Sequence, residues 1–420
     1  MVGAMGTKTT ATDIFPFVLL GLAVPALVFG RTVMAVLVGV FFLSVALSGP
    51  LRSAFLEGLR RPTGTAVFYL VALMFVCWLP GLRESRDLID SGQVFLRTAL
   101  IFALFMPFLT LLQLDRTLHE VVLKAMMASA VVFLAYALFA ILVTPQIYWG
   151  LRLHGWDNIS PAFKPLKAYS ALAVLIVPIS LWSVVRFTGL WRVTAVLAAV
   201  GFLALVWLTT NRAALAGLVS AAVFVAALSS GRMPVKYRVV MALSAVGVIA
   251  AVSYWLFQDR APIKVPEGDW LFPTWLIDFE RQAMWSHVWK IAWEFPLFGV
   301  GINTINLTPG ADVVIPGTND THIVPSHPHN WVVEMFAETG LFGLLSLCSV
   351  LLFAAIRMVR GFLSDRNPAW LAALAALTGY WTSGLFNFSV WAAWWQISLL
   401  IMMTVALTEV VRRPDRGVGR

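Results

Sequence analysis

The sequence predicts an all-α membrane protein, a polytopic transmembrane bundle of about twelve helices with one large loop. Three observations predict it. Of 420 residues, 60% are hydrophobic and only 12% are charged, about half the charged share of an ordinary soluble domain. The apolar residues fall in nearly uncharged runs of about 18–25, long enough to cross a bilayer as helices. These runs are continuous and rich in Ala, Leu and Val, whereas a spanning barrel would show segments of about ten residues with alternating polarity.

In chain order, spans are expected at about 12–30, 32–50, 65–82, 97–113, 120–144, 168–185, 193–210, 213–230, 239–257, 331–356, 369–388 and 391–410. This divides the chain into residues 1–257 with nine spans, a loop over 258–330, and residues 331–420 with three spans and a basic tail. No basic segment followed by an A-x-A cleavage site opens the chain, so the first run is expected to be a retained helix. An even number of spans places both termini on one side. The tail carries Arg412, Arg413, Arg416 and Arg420, and basic residues mark the cytoplasmic side. Lys8 and the short loops bearing Arg52, Arg60 and Arg61, then Arg116 and Lys124, Arg186 and Arg192, Arg232, Lys236 and Arg238, and Arg357, Arg360 and Arg366 fall on that same side. The net charge of +9 is thus a topology signal and an attraction for anionic membrane lipids, not a nucleic-acid footprint. Cys77 and Cys348 lie inside apolar runs and read as packing residues, with no disulfide framework.

The 258–330 loop then faces the periplasm, and long ordered loops are usually functional. Within it, Phe279 to Phe295 reads as a helix. Trp285, Trp289 and Trp293 recur every four residues on one face, as in a helix that lies at the interface or caps the bundle. Pro296, Gly299 and Gly301 then break it.

Three features could carry chemistry. The first is Ser326-His-Pro-His-Asn330 at the start of the tenth span. Asn330 is a plausible N-cap. His329 stands at the mouth of the bundle as a candidate general base, unless it is an ordinary polar interface residue. Glu334, Glu338, Gly340 and Gly343 follow, the glycines permitting close helix approach. The second is Arg212, between two apolar runs, which either snorkels or binds an anion such as phosphate. The third is Arg281, flanked by Asp278 and Glu280, which is either a surface ion pair or a second anion ligand. His327 and Asn330 are further candidates for binding substrate, as are Arg152, Lys164 and Lys167 of the 145–167 loop. His322, His327, His329 and Asp320 could offer metal ligands, but their spacing fits no standard zinc motif and the chain has no Asp-x-Asp. No metal and no cofactor are expected.

His329-Asn330, nine residues, then Gly340-x-x-Gly343 resembles the signature of the O-antigen ligase family, shared loosely with O-antigen polymerases. Arg281, Trp285 and Glu294-Phe-Pro-Leu-Phe-Gly-Val-Gly301 resemble that family's long periplasmic loop, and Arg212 matches its arginine at a periplasmic helix end. The resemblance covers about 200–345. It implies a GT-C-type helical fold in the bacterial inner membrane with a periplasmic active site. The implied donor is O-antigen on undecaprenyl pyrophosphate, and the implied acceptor is a sugar hydroxyl of lipid A–core oligosaccharide. It also implies that His329 is the base and that Arg212 and Arg281 bind pyrophosphate.

The runner-up is an O-antigen polymerase, which would use a second lipid-linked glycan as acceptor; a protein oligosaccharyltransferase is a further option. A transporter is disfavoured because the conspicuous polar residues gather at one face instead of at mid-membrane.

Overall fold

A computed structural model describes residues 11–62, 65–152, 154–230, 234–258, 270–318 and 320–411. Lys8, Arg232, Arg260, Lys264, the four tail arginines and residues 259–269 of the long loop lie outside them. In chain order the helices are α1 Ala11–Ala23, α2 Arg31–Leu47, α3 Gly49–Arg60, α4 Ala66–Arg83, α5 Leu88–Ala103, α6 Phe105–Gln113, α7 Arg116–Leu142, α8 Gln146–Leu151 and α9 Leu166–Ser170. There follow α10 Ala173–Arg186, α11 Gly189–Leu208, α12 Arg212–Ser229, α13 Val235–Gln258, α14 Phe279–Glu294, α15 Trp331–Asp365, α16 Pro368–Gly384 and α17 Ala393–Val411. No β-strand occurs among the described residues, where an isolated bridge pairs Val314 with His322.

The polytopic helical membrane class is therefore as expected, but the count of twelve spans is not reached. Among the described residues eight helices are long and apolar enough to cross a membrane, or nine if α2 and α3, bent by 104°, form one span. Several helices differ from the expected spans. Pro25 has no N–H to continue a helix, so after α1 the chain runs as a 3-10 turn over Pro25–Phe29. α16 stops at 17 residues. Residues 51–60, expected as a loop, instead belong to α3, which buries Leu51, Ala54 and Gly58 at helical spacing. The span expected at 97–113 begins earlier, at Leu88.

The chain divides into two compact units. The first comprises Met1–Arg61, Leu104–Thr209 and Leu400–Arg420. Within it α1 packs on α7, α10 on α11, and α3 on α6. The nearly buried Arg186 pairs with Glu409 and, at 3.6 Å, with Glu120.

The second unit comprises Pro62–Ala103 and Thr210–Leu399. α15 is its spine, with apolar contacts on two faces. One meets Met284, Val288 and Ile291 of α14 and Ile305, Ala311 and Val324 of the loop. The other meets Met74 and Trp78 of α4, Val94 of α5, and Val390 and Trp391 before α17. α12 packs on α16, and Trp331 Nε1 donates to the Trp381 carbonyl at 2.9 Å, tying α15 to α16.

α15 is not one continuous helix. Gly340 has φ 67° and ψ −173°, a region essentially restricted to glycine. The glycines were expected to bring helices together; at Gly340 the close neighbour is instead the loop after α14. A Cβ there would fall 2.2 Å from Leu297 C, and one on Gly299 would fall 2.3 Å from Glu338 C. Backbone bonds stitch the break: Val300 N to Ala337 O at 2.9 Å, Gly301 N to Glu338 O at 3.1 Å, and Leu341 N to Pro296 O at 2.8 Å. The breaker residues 296–301 thus supply partners for the polar groups that an interrupted helix leaves behind. Glu338 adds its side chain, accepting from Asn303 N at 2.8 Å and Ile305 N at 3.1 Å.

Candidate active site

The site is assembled on the broken helix. Asn330 caps α15, its side chain accepting from Val332 N at 3.0 Å and Val333 N at 3.3 Å. One residue earlier, His329 has φ 53°, the left-handed region that costs a non-glycine residue on the order of 1 kcal/mol or more. Two contacts accompany that turn. Trp285 Nε1 of α14 donates to the Pro328 carbonyl at 2.7 Å. His329 Nδ1 lies 2.9 Å from the backbone carbonyl oxygen of Asn387, in the segment joining α16 to α17. A carbonyl oxygen can only accept, so Nδ1 donates and the neutral ring carries its free lone pair on Nε2. The His327 ring lies 4.2 Å from that of His329, centroid to centroid, and its Nδ1 meets Ser326 Oγ at 2.9 Å.

Burial drives the His329 pKa down to about 4, and the Arg281 guanidinium pushes the same way against a smaller opposing effect of the Asn387 carbonyl. His329 is therefore neutral at pH 7. Arg281 itself is half-buried on the first turn of α14.

Arg212 opens α12. Thr210 before it has φ 48°, and Asn211 caps the helix by accepting from Ala214 N at 3.1 Å. The guanidinium does not snorkel outward. Nη1 donates to the Trp275 carbonyl at 2.9 Å, and Nη2 reaches both oxygens of Asp278, at 2.7 and 2.9 Å. Asp278 is the N-cap position of α14 yet makes no side-chain cap bond. Its carboxylate turns to Arg212, so one acid links the arginine that opens α12 to the helix that carries Arg281. Both arginines stand at helix N-termini, where the helix dipole also favours an anion.

The remaining expected residues fall elsewhere. Arg152, Lys164 and Lys167 belong to the first unit. There Arg152 bonds the Tyr148 hydroxyl and lies 5.0 Å over its ring. Lys164 is exposed, and Lys167 is half-buried within α9. His322 sits on the bridge with Val314. No group of three His, Cys, Asp or Glu among the described residues could hold a metal ion. The tryptophan stripe of α14 packs on α15: Trp289 and Trp293 lie 5.4 and 5.5 Å from the Phe336 ring.

Sequence reasoning gave no role to Glu334 or the Asn387 carbonyl, and it set Asp278 beside Arg281, not against Arg212. Glu334 carried a usable signal, as an acid inside an apolar span is expensive and usually functional or paired. Asn387 carried none, because its contribution is a backbone atom.

In a polytopic helical membrane protein, His329 is thus held neutral under the influence of the Arg281 guanidinium, while Arg212 is tied through Asp278 to the helix that carries Arg281. Residues 197–348 match the family model described as O-antigen ligase, so the resemblance read over about 200–345 is shown, and the match contains Arg212, Arg281, His329, Asn330, Gly340 and Gly343. The chain is similar to a Rickettsia bellii protein that bears the provisional name polysaccharide ligase, 26% identical over 137 residues, 32% of either chain. A protein of the same description from Rickettsia conorii is 28% identical over 138 residues, again 32% of either chain. One from Rickettsia felis is 30% identical over 95 residues, 22% of either chain. The matches with the first two span about a third of each relative's length.

Proposed function

We propose that the protein is an O-antigen ligase acting at the periplasmic face of a bacterial inner membrane. It transfers O-antigen polysaccharide from undecaprenyl pyrophosphate to a sugar hydroxyl of lipid A–core oligosaccharide. His329 Nε2 takes the proton of the acceptor hydroxyl as its oxygen bonds to the anomeric carbon. The bond from that carbon to the pyrophosphate oxygen breaks, and the electron pair leaves on undecaprenyl pyrophosphate. Arg212 and Arg281 stabilise the charge that develops there, and a stabilised pyrophosphate leaves without a strong general acid. His327 and Asn330 line the acceptor side, and Arg152, Lys164 and Lys167 are further candidates for binding substrate.

The observation that carries this reading is the His329–Asn387 bond, which commits Nδ1 and leaves Nε2 as the base. The match to the ligase description favours ligase over polymerase. Lipopolysaccharide profiling of a deletion strain tests the choice. A ligase predicts core lacking all O-antigen while polymer accumulates on undecaprenyl pyrophosphate; core bearing a single repeat would mean polymerase.

Two arginines can neutralise pyrophosphate in place of a divalent ion, so transfer is expected to proceed in excess EDTA. Activity lost to chelator and restored by Mg²⁺, Mn²⁺ or Zn²⁺ would overturn the arginine model.

A further inference from the structure

We propose that Glu334 is the positioning residue for His329: it clamps the segment whose Asn387 carbonyl selects the His329 tautomer. The proposal rests on reading His329 as the base. Glu334 lies in the first turn of α15, only 1% exposed. Both carboxylate oxygens are engaged by the α16–α17 connection. Oε1 accepts from Ser389 Oγ at 2.5 Å and Oε2 from Val390 N at 2.9 Å. Ser389 Oγ in turn accepts from Trp391 N at 3.1 Å, so three consecutive residues are fixed to the helix that His329 precedes. Asn387 is two residues upstream. On its other side the chain is held by the end of α16, where Phe386 N donates to Ser383 O at 3.0 Å. The carbonyl that receives His329 Nδ1–H is therefore suspended between two anchors, and Glu334 is the one that refers it back to α15.

The chemistry explains why this residue is an acid. The clamp requires two acceptors facing an O–H and an N–H. Glutamine keeps one acceptor for Val390 N and can present its amide N–H to Ser389 Oγ, which can reverse its role. Alanine leaves two buried donors without partners. If the clamp opens, the Asn387 carbonyl drifts, and the proton is free to move to Nε2, the atom that must be bare to act as base. Partners that fix a histidine's tautomer in this way commonly control its function without touching substrate.

The test uses the full chain in lipid nanodiscs, labelled with ¹⁵N-histidine, with the His329 signals assigned by their loss in His329→Asn. Wild type should show Nδ1 protonated. In Glu334→Ala the population should shift toward Nε2–H, with kcat down about tenfold or more, consistent with a lost general-base contribution. KM for donor and acceptor should change by less than about twofold, since uniform binding is untouched. Glu334→Gln should restore most of both readouts. Ser389→Ala, which removes the hydroxyl's bonds to Glu334 and to Trp391 N but keeps the carboxylate and its bond to Val390 N, should show a smaller shift in the same direction and serves if Glu334→Ala does not fold. An unmoved His329 tautomer in folded Glu334→Ala, whether kcat falls or not, would overturn the proposal. A moved tautomer with unchanged kcat would instead leave the link standing and sink the base assignment of His329.

Discussion

Protonation of His329 sets the acid limit of the proposed reaction. Its pKa is depressed to about 4 by burial and by Arg281, so the neutral, proton-accepting form persists as pH falls below the ordinary histidine value of about 6.5. Activity is lost only as pH drops through the depressed value. The acid limb of kcat/KM, which reports the free enzyme, should therefore lie near 4. A bound pyrophosphate neutralises part of the Arg281 charge and relieves part of the depression. The acid limb of kcat at saturating donor should accordingly sit at higher pH. Coincident limbs near 6.5 would show that neither burial nor Arg281 governs the base. His329→Ala should lower the ligation rate about 10²–10⁴-fold while leaving affinity for an undecaprenyl-pyrophosphate analogue nearly intact. Arg281→Ala should weaken both, because a phosphate contact exists before and during transfer.

Arg212 requires a cycle of variants, because removing it also takes away an ion-pair partner of the half-buried Asp278 carboxylate, 2.7 Å away. Arg212→Ala should lower thermal stability in detergent as well as donor affinity. Adding Asp278→Asn should restore part of the stability, since the carboxylate that lost its Arg212 partner is no longer charged, but not the affinity. Restoration of both would show that Arg212 serves the fold alone. Lysine at 212 should rescue only in part, as a point charge cannot reproduce the fork that spans Asp278 and Trp275.

Among the elements, the break in α15 explains why the His-Asn-to-Gly spacing matters. Nine residues carry the helix from Asn330 to the point where the 296–301 loop can replace its backbone bonds. Gly340→Ala is expected to destabilise strongly, because a φ of 67° is paired with a Cβ position 2.2 Å from Leu297 C. A thermal midpoint within a degree or two of wild type would contradict this. The same region shows what could be read from the sequence. The Asn330 cap, the helix over 279–294 and the breaker segment after it follow from local chemistry and stand where expected. The break at Gly340 does not, since a lone glycine in an apolar run is equally a packing contact. α3 was obscured by Arg52, Arg60 and Glu57, which reduce its apolarity while its buried face keeps helical spacing. Glu334 was visible as an acid in a span, but its partners lie 55 and 56 positions away, beyond the reach of any periodicity.

For the whole molecule, the outward-facing side chains include Leu43, Leu47, Val76 and Val185, each more than half exposed, which suits lipid and would be costly in water. Arg212, Arg281, His329 and Asn330 lie at or next to the starts of α12, α14 and α15. The proposed orientation places all of them in the periplasm and both termini in the cytoplasm. Reporter fusions after Ala311 and after Arg420 should report opposite sides. A cytoplasmic signal at 311 would invalidate the orientation and remove the periplasmic reaction with it.

The acceptor of the His329 proton contact is a main-chain oxygen, and this has a consequence for mutational surveys. Any side chain at position 387 leaves that oxygen in place, and the Asn387 amide nitrogen is itself buried without a hydrogen-bond partner. A saturation library should therefore score 387 as permissive although it touches the base directly, while 334, which touches no substrate, scores as intolerant. Tolerance maps of the protein would then trace the scaffold behind the proposed reaction centre more faithfully than its edge. A designer seeking new acceptor specificity would find in 387 a position next to the proposed base where side chains of similar size can be exchanged without removing the oxygen that His329 Nδ1 meets.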